Sequence, residues 1–595
     1  MVPEIFIRMV GIFSSRLITF LTSLYIASLL SEGEWGRISL IMNYFTIFLV
    51  LLSLYCALTI GLGIDESFHH TNGALRYLYL TTLGKFDGYE WENARYYPGL
   101  YDTIHYALAK LIDTFIDIKY VVEIKHFINY LFSSFGVLGL FFVNRKIFNK
   151  EIAILSCILT FLNPIFFGHM GMNPKDPLTF TALIWTIYFF INYLENIETS
   201  RFKYLILMSL FIGFGTGIRF TFLALLTPLF LIWIFVIFKK KINVSSIILD
   251  SFCALILIFT LAFLTWPQIH NGKFDLLLTI IERSSSWLIG MKHGIINGDF
   301  YEIRNTPRTY ILDIFLYRIP LYFSLLIIFS YVIVFVQKKF FAENFNSNFL
   351  TFFSLLNLVL FFPLSTMIIT KTNLYDNGRL FLFTMPFFAT VGSIGLLYII
   401  IKLKEFNFLY KSFSFIFLFL LILSFYRFVS LTPYQYAYTN YLSAPKYVMG
   451  KNKFEHDYTN ASYRELFEKI KDKFGESDAA KLKIRTCNNN FSNNKYYFRT
   501  KLKMKQTRAE EAEYVIMTDR NLRYRKMNCF QLFKGEDIVS VKRLGLTLSS
   551  LRKINSNEAR EYMTHEWRLK NESWYKEWLE KKLKGENPSG YNLPN

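Results

Sequence analysis

Two adjacent carboxylates, Asp65 and Glu66, stand where a long apolar run ends, and two histidines, His69 and His70, follow one helical turn later. The preceding run, Ser39–Ile64, carries almost no charge and, at about 25 residues, is long enough to cross a bilayer. Carboxylates at the mouth of a membrane span are costly to desolvate, so they indicate a functional site such as a general base. The alternative interpretation is that the pair only marks the edge of the bilayer.

Cationic residues stand at the outer ends of other apolar runs. The segment NPIFFGHMGMNPKDPLTF holds His169, Lys175 and Asp176 among helix-breaking Asn-Pro pairs. Arg219 lies at the end of GFGTGIRF, and Arg379 opens a further run in YDNGRLFLFTMP. Cations gathered around a carboxylate pair at headgroup depth would suit a phosphate-bearing lipid beside a catalytic base. The alternative for each arginine is that it snorkels to the membrane surface.

The composition indicates a membrane protein. Of the 595 residues, 53% are hydrophobic, 19% are aromatic and only 18% are charged, against about a quarter in soluble proteins. The net charge of +20 flanks the apolar runs, which favours anionic lipid headgroups over nucleic acid as the partner. The sequence has no Walker loop, which argues against ATP-driven transport. No cleavable signal peptide is expected, because no short apolar core with a small-residue cleavage site opens the chain.

Eleven apolar runs are predicted to cross the bilayer, and residues 10–30 either make a twelfth span or form an interfacial helix. We therefore predict a polytopic α-helical membrane protein with about 11–12 transmembrane helices. The polar loop after the first long run contains TIHYALAKLIDTFI, whose spacing predicts an amphipathic surface helix. The predicted spans are 39–64, 121–143, 151–169, 177–194, 204–218, 221–238, 245–266, 311–336, 348–370, 380–401 and 412–430.

The charges of the short loops predict the orientation. Five loops separated by pairs of spans, at 144–150, 195–203, 239–243, 337–347 and 402–411, carry two or three Lys or Arg each. The positive-inside rule makes that side cytoplasmic. The outer side of a cell inner or plasma membrane then receives the tail and the loops 65–120, 169–176, 267–310 and 371–379. Every candidate site residue falls on that outer side.

The tail, residues 431–595, is predicted to be a small extracytoplasmic α/β or α+β domain. SYRELFEKIKDKF and residues 558–584 have helical spacing, whereas LKIRTC and AEYVIMTD are typical of strands. Cys487 and Cys529 could pair if the tail lies outside the cytosol. A zinc site built from His69 and His70 with His105 or His126 is disfavoured, because the spacing is irregular.

The order of these motifs resembles a known family. DESFH, FGHMGMNPKDP, the arginine of GIRF, INGDFYEIRNTPRTYI, YDNGRLFLF and, in the tail, PYQYAYTNYL and FEHDYTNASYREL are similar to a bacterial GT-C superfamily membrane glycosyltransferase. Within that superfamily the chain looks closest to the dolichyl-phosphate-mannose protein mannosyltransferase-like group. The resemblance runs from about Ser39 to Leu466. It departs from the family at Leu380, where relatives often carry a histidine after the arginine.

The resemblance implies roles for individual residues. Asp65 would be the general base on the acceptor, with Glu66 beside it, and Asp176 would help to bind a metal ion or the acceptor. The residues implied to bind the donor phosphate are Arg219, Arg379 and Lys175. The remaining candidates for substrate or metal contact are His69 and His169, and a divalent metal ion is a candidate cofactor.

The resemblance also implies a reaction and a division of the chain. A sugar would pass from a polyprenyl-phosphate donor to a glycan, lipid or protein acceptor by a single inverting displacement. Residues 1–38 would form an N-terminal amphipathic or transmembrane helix, 39–430 the catalytic membrane domain and 431–595 the outer domain. The alternative is a non-catalytic transporter of lipid-linked oligosaccharides, because SLYIASLLSEGEWGRISL faintly resembles such flippases. A flippase would not need a carboxylate pair fixed at one outer mouth.

Overall fold

The computed structural model describes residues 35–554 with short gaps, and residue 580. The gaps are residues 87–93, 116–120, 200, 241–242, 287–292, 346–347, 404–407, 444–452, 488–490 and 523–525. The predicted helix at 10–30 lies outside the described residues, as does the one at 558–584 apart from residue 580.

Helices dominate the described chain up to residue 430. The first group runs from the first long span to the predicted outer loop: α1 Trp35–Thr59, α2 Glu66–Thr81, α3 Leu100–Asp113, α4 Val121–Ile147, α5 Lys150–Phe161, α6 Pro164–His169, α7 Asp176–Glu195, α8 Arg201–Ile218, α9 Phe222–Leu225, α10 Thr227–Lys240, α11 Val244–Phe263, α12 Pro267–His270 and α13 Asp275–Arg283. The second group is α14 Tyr310–Tyr317, α15 Leu321–Val336, α16 Lys338–Asn344, α17 Phe349–Ile369, α18 Met385–Leu403 and α19 Phe408–Ser430.

Each of the eleven predicted spans coincides with one helix or with two successive helices. Within the described ranges, six helices are long and apolar enough to cross a membrane, or seven if one bent pair counts as a span. Two shorter apolar helices, Tyr44–Thr59 and Ile247–Phe263, follow the same pattern. The multi-span membrane fold is therefore confirmed, although length and composition support fewer spans than the 11–12 predicted.

The bent pair consists of α14 and α15, whose axes meet at 114°. The sequence 311–336 reads as one apolar run, but Pro320 stands at the N-cap of α15. Proline lacks a backbone N–H and pushes the preceding residue out of the helical region, so the first helix must end before it. The chain therefore turns where hydropathy alone predicts continuity.

The loop after α1 forms two packed helices. The predicted amphipathic helix is confirmed as α3, which buries Tyr101, Asp102 and His105. Gly73 in α2 lets the two helices approach closely, because a Cβ at Gly73 would collide with the carbonyl oxygen of Asp102. This close approach brings the Asp102 carboxylate within reach of α2. Farther along, the predicted outer loop 267–310 contains an antiparallel hairpin, β1 His293–Ile296 and β2 Asp299–Glu302.

The tail is a mixed helix and sheet unit, as predicted. Its helices are α20 Tyr463–Phe474, α21 Glu476–Ala479, α22 Phe491–Thr500 and α23 Cys529–Leu532, and its strands are β3 Ile484–Thr486, β4 Tyr514–Thr518, β5 Asp537–Arg543 and β6 Leu546–Lys553. The sheet order is β3-β4-β6-β5, with β3 parallel to β4 and the other neighbours antiparallel. α20 buries Tyr463, Leu466, Phe467 and Ile470, the spacing of one helical face.

Two large apolar cores hold the molecule together. One lies among the membrane helices. The other joins Ile60, Leu62 and Met172 from the ends of the membrane segments to tail residues such as Tyr436 and Leu551. The tail is therefore packed directly onto one end of the helical bundle, the end that carries the candidate site.

Candidate active site

Asp65 and Glu66 lie at the start of α2 and face different surroundings. Asp65 is the N-cap residue of α2, and 38% of its side chain is exposed. Glu66 is fully buried. Successive residues on a helix project about 100° apart, so the first helical turn separates the two carboxylates. Asp65 turns toward Arg379, whereas Glu66 turns into the protein.

Glu66 is bound inside the protein by two groups. Its Oε1 accepts a hydrogen bond from the backbone N–H of Gly63 at 2.6 Å, and its Oε2 lies 2.9 Å from Nε2 of His126. Nδ1 of His126 lies 2.9 Å from the carbonyl oxygen of Ala57 and must donate there, because a carbonyl only accepts. The contact between Nε2 and Glu66 therefore contains one shared proton. Glu66 thus ties the start of α2 to α4 and faces away from Asp65.

Arg379 is the centre of the site. It begins a 3₁₀ turn, Arg379–Thr384, that leads into α18, and only 5% of its side chain is exposed. Its guanidinium lies 2.8 Å from Asp65, 3.2 Å from Asp376 and 3.7 Å from Asp176. Its Nε makes no hydrogen bond with any part of the chain that the structure describes. One buried cation is thus shared by three carboxylates and keeps one donor unused.

The electrostatics of Asp65 follow from this arrangement. Burial disfavours its charged form, but the positive charges of Arg379 and then Lys175 outweigh that effect. They hold the pKa of Asp65 well below its usual range. Asp65 is therefore a stable carboxylate while Arg379 remains beside it.

Asp176 is positioned by the second Asn-Pro segment, Asn173 and Pro174. The side-chain oxygen of Asn173 accepts hydrogen bonds from the backbone N–H groups of Lys175 and Asp176, and its amide donates to Asp176 at 2.9 Å. Arg219, at the end of α8, lies 3.2 Å from the other oxygen of Asp176. The predicted loop 169–176 is buried throughout. The proline break thus folds a polar turn into the protein beside the arginines.

Lys175 is largely buried beside the same turn. Its Nζ lies 5.5 Å from the centre of the Tyr97 ring. The Tyr97 ring also contacts the ring of His69, with centroids 6.1 Å apart. Lys175 therefore adds a positive charge near Asp65 without pairing directly with it.

His69 and His169, the histidines predicted to contact substrate or metal, each have a protein partner. Nδ1 of His69 lies 3.0 Å from the Asp102 carboxylate, which also accepts a hydrogen bond from Asn72 at 2.6 Å. Nε2 of His169 lies 2.7 Å from the hydroxyl oxygen of Tyr458 in the tail. The first histidine thus lies on the Asp65 side of α2, and the second joins the membrane domain to the tail.

The carboxylates do not form an evident metal site. Asp65, Asp176 and Asp376 each have an arginine within 3.7 Å, which disfavours a divalent cation among them. Within the described ranges, no group of three or more His, Cys, Asp or Glu residues has the arrangement of a metal site. Metal dependence stays a prediction.

Asp376 and Arg520 complete the site and were missed by the sequence prediction. Arg520 extends from the tail and lies 3.3 Å from Asp376, while its other terminal nitrogen donates to the carbonyl oxygen of Tyr458. Asp376 is three residues before Arg379 in a quoted motif, so proximity in sequence could have indicated it. Arg520 belongs to no motif, and its contact joins residues far apart in the chain. We call Asp65, Asp176, Asp376, Arg219, Arg379 and Arg520 the ion-pair cluster.

The tail also brings buried carboxyl groups near this cluster. Glu455 is buried, and burial raises its pKa from 4.5 to about 7, against the opposing charge of Arg520. The Glu455 carboxylate accepts a hydrogen bond from the backbone N–H of Asn521, and its carbonyl accepts one from the side chain of Asn377. Glu455 thus links the Arg520 segment to the turn that carries Asp376.

One family model matches part of the chain. Residues 123–266 match the model of the family described as dolichyl-phosphate-mannose-protein mannosyltransferase. The predicted family resemblance is confirmed over this segment. The mannosyltransferase-like segment includes Lys175, Asp176 and Arg219, whereas Asp65 and Arg379 lie outside it. A comparison with curated protein sequences finds no match.

Three solved structures are similar to this chain at low sequence identity and low TM-score. ArnT from Cupriavidus metallidurans bound to undecaprenyl phosphate is 10% identical, with 62% of this chain and 60% of that chain aligned and a TM-score of 0.41. The apo oligosaccharyltransferase of Archaeoglobus fulgidus is 12% identical, with 67% and 56% aligned and a TM-score of 0.43. The S. cerevisiae Pmt1-Pmt2 complex bound to the sugar donor gives 12% identity, 43% and 39% aligned, and a TM-score of 0.29. The alignments thus span less than two thirds of these structures.

Proposed function

We propose that this chain is a membrane glycosyltransferase that moves a sugar from a polyprenyl phosphate to an acceptor at the outer face of the membrane. The observation that carries the proposal is the pairing of half-exposed Asp65 with buried Arg379 at 2.8 Å. This pairing places a candidate base beside a candidate phosphate-binding residue at the end of a membrane helix. The match of residues 123–266 to the mannosyltransferase family supports the same reaction class.

The charge balance favours an anionic ligand. The ion-pair cluster contains three carboxylates and three arginines, and Lys175 adds one further positive charge beside them. The Nη1 of Arg379 pairs with half-exposed Asp65, whereas its Nε lies toward buried Asp176. A phosphate oxygen that replaces Asp65 could accept from Nη1, and charge-assisted hydrogen bonds to arginine are among the stronger ones in proteins.

Donor binding would activate the base. Of the three carboxylates around Arg379, Asp65 is 38% exposed, while the side chains of Asp176 and Asp376 are 4% and 2% exposed. An entering phosphate therefore displaces Asp65 from Arg379 most readily. Once Arg379 binds the phosphate, the pKa of Asp65 rises toward its usual value, because the cation that lowered it is engaged elsewhere. The carboxylate then becomes a stronger base where the acceptor must bind.

The transfer itself is one displacement. Asp65 takes the proton of the acceptor hydroxyl or amine while the acceptor atom bonds to the anomeric carbon. The bond from that carbon to the phosphate oxygen breaks, and its electron pair leaves on the lipid phosphate. Arg379, Arg219 and Lys175 stabilise the negative charge that the phosphate gains. A single displacement inverts the configuration at the anomeric carbon.

Two observations support the outer face. The tail touches the site through Arg520 and Tyr458, so the site and the tail lie on one side of the membrane. The tail also contains the predicted disulfide, Cys487 to Cys529, and disulfides persist mainly in oxidising compartments. The loop charges, which predict that the opposite side is cytoplasmic, support the same assignment.

The test begins with the donor. Lipid analysis of membranes with and without the gene identifies an accumulated polyprenyl-phosphate sugar, and single-turnover transfer from it is measured with the full chain in nanodiscs. Asp65→Asn keeps size and most hydrogen bonds but removes basicity, so transfer should fall at least about a hundredfold. Asp299→Asn, an exposed change in the outer hairpin, should leave the rate unchanged. Near-native transfer by Asp65→Asn would remove Asp65 from the mechanism, and a lipid-linked sugar that crosses the membrane unchanged would indicate a transporter.

A further inference from the structure

Asp376 is held by two arginines from different parts of the molecule. Arg379 of the membrane domain lies 3.2 Å from one of its oxygens, and Arg520 of the tail lies 3.3 Å from the other. The side chains of all three residues are at most 5% exposed. Water does not screen these contacts, so the position of Asp376 depends on both arginines.

The turn that carries Asp376 has an uncommon backbone conformation. Asp376 and Asn377 both have positive φ, 53° and 57°, in the left-handed region that, among residues other than glycine, Asp and Asn adopt more often than most. The side chain of Asn377 donates to the carbonyl oxygen of Glu455 at 3.0 Å, and its carbonyl accepts from Tyr310 at 2.9 Å. The tail thus supplies two of the contacts that hold this turn, one through Arg520 and one through Glu455.

The same tail segment also reaches the second polar turn of the site. Arg520 donates to the carbonyl oxygen of Tyr458, and the hydroxyl of Tyr458 lies 2.7 Å from Nε2 of His169. His169 precedes the turn that carries Asp176. A single tail arginine is therefore connected to both membrane segments that surround Arg379.

We propose that Arg520 is a positioning residue of the active site, which fixes Asp376 against Arg379 so that an entering lipid phosphate displaces Asp65 and not Asp376. The inference rests on the proposed function and extends it to the tail. Arg520 touches no reacting atom; it sets the orientation of the arginine that binds the phosphate. The tail thereby becomes a component of the donor site.

The experiment measures binding of undecaprenyl phosphate to the full chain in nanodiscs. Arg520→Lys keeps the positive charge but cannot contact Asp376 and the Tyr458 carbonyl with one planar fork. We expect it to weaken binding about tenfold, as typical coupling energies allow. The same substitution in an Asp376→Asn background should change affinity less than about twofold, because the contact through which Arg520 acts is already lost.

Arg543→Lys is the matched control. Arg543 makes its contacts within the tail, an ion pair with Glu465 at 2.6 Å and a hydrogen bond to the carbonyl oxygen of Thr432, and it has no contact with the ion-pair cluster in the described structure. It should lower the thermal unfolding temperature as Arg520→Lys does, yet leave affinity unchanged. If Arg520→Lys does not fold, Asn377→Ala removes the second tail contact of the same turn and should weaken binding similarly.

The outcomes separate the two proposals. If the wild-type protein does not bind undecaprenyl phosphate, or Arg379→Gln binds it as well as wild type, the proposed donor site is wrong. If Arg379→Gln loses binding while Arg520→Lys and Asn377→Ala retain it, the donor site stands and the positioning role of the tail is wrong. If Arg520→Lys weakens binding equally in the wild-type and the Asp376→Asn backgrounds, the positioning role is also wrong, because the effect would not depend on the Asp376 carboxylate.

Discussion

The adjacent carboxylates Asp65 and Glu66 differ mainly in whether an incoming ligand can reach them. Asp65 is half-exposed and paired with a buried arginine, whereas Glu66 is buried with His126 and a backbone N–H. The two adjacent carboxylates therefore have different positions: Asp65 is open to substrate, and Glu66 fixes the local backbone. This division makes distinct predictions for the two carboxylates.

Glu66→Gln should keep the protein folded and cost less than about tenfold in transfer. A glutamine oxygen can accept from the Gly63 N–H while its amide donates to Nε2 of His126, so both contacts survive without the shared proton. Glu66→Ala leaves the histidine nitrogen buried without its partner and should lower the free energy of unfolding by roughly 1 to 3 kcal/mol. Single-turnover rates and thermal unfolding of the two variants check this. A hundredfold loss in a folded Glu66→Gln protein would instead make Glu66 part of the chemistry.

Arg219→Ala should weaken donor use through affinity. Arg219 pairs with Asp176 at 3.2 Å and retains 29% exposure, so it can turn toward a phosphate, and its loss should cost about 10- to 150-fold in affinity. The chain contains a close match in Arg201, which pairs with buried Asp250 at 3.0 Å and is 31% exposed at the other end of the same helix. Arg201→Ala should leave the donor KM unchanged. If Arg219→Ala also keeps the wild-type donor KM, Arg219 does not bind the donor and only snorkels to the membrane surface.

At the scale of elements, the apolar runs determined where helices form, because twenty or so apolar residues must satisfy their backbone within one segment. The tail strands LKIRTC and AEYVIMTD were also predictable from local pattern. The 114° bend between α14 and α15 was not predictable, because the mean hydropathy of an apolar run hardly changes when it contains one proline. Arg520 could not be predicted either, because its partner Asp376 meets it only after the tail has packed on the bundle.

The contact between α2 and α3 depends on one small residue. A Cβ at Gly73 would collide with the carbonyl oxygen of Asp102, so Gly73→Ala should push the helices apart and weaken the His69 to Asp102 contact. Overpacking of this kind costs typically 1–3 kcal/mol. Gly392→Ala in α18 is the control, because a Cβ there meets its nearest neighbour at an ordinary 3.5 Å. The midpoint of thermal unfolding should fall for Gly73→Ala and not for Gly392→Ala. An unchanged midpoint in Gly73→Ala would show that the helices can separate freely.

At the scale of the whole molecule, the packing of the tail on the bundle should depend on pH. Burial raises the pKa of Glu455 from 4.5 to about 7, and burial likewise raises the pKa of Asp457 to about 6. The folded protein therefore retains these protons to higher pH than the unfolded chain does. The contribution of these two groups to stability therefore falls as pH rises from about 4.5 to about 7, by at most about 3 kcal/mol for Glu455.

Thermal unfolding between pH 5 and pH 8 checks this dependence. Glu455→Gln mimics the protonated group, so it should flatten the decline and raise the midpoint at pH 8. Asp478→Asn, at a fully exposed carboxylate of the tail, is the control and should leave the slope as in wild type. A difference in midpoint between Glu455→Gln and wild type that stays constant from pH 5 to pH 8 would contradict the assignment of Glu455.

The contact between Asp376 and Arg520 also has a consequence for biosynthesis. A ribosome makes the described membrane helices before it makes Arg520, so the nascent chain can insert its bundle long before the proposed donor site is assembled. The site would become competent only after the tail has been translocated, oxidised and folded onto the bundle. A chain interrupted by a premature stop between Ser430 and Arg520 would then be an inserted membrane protein without the proposed donor site.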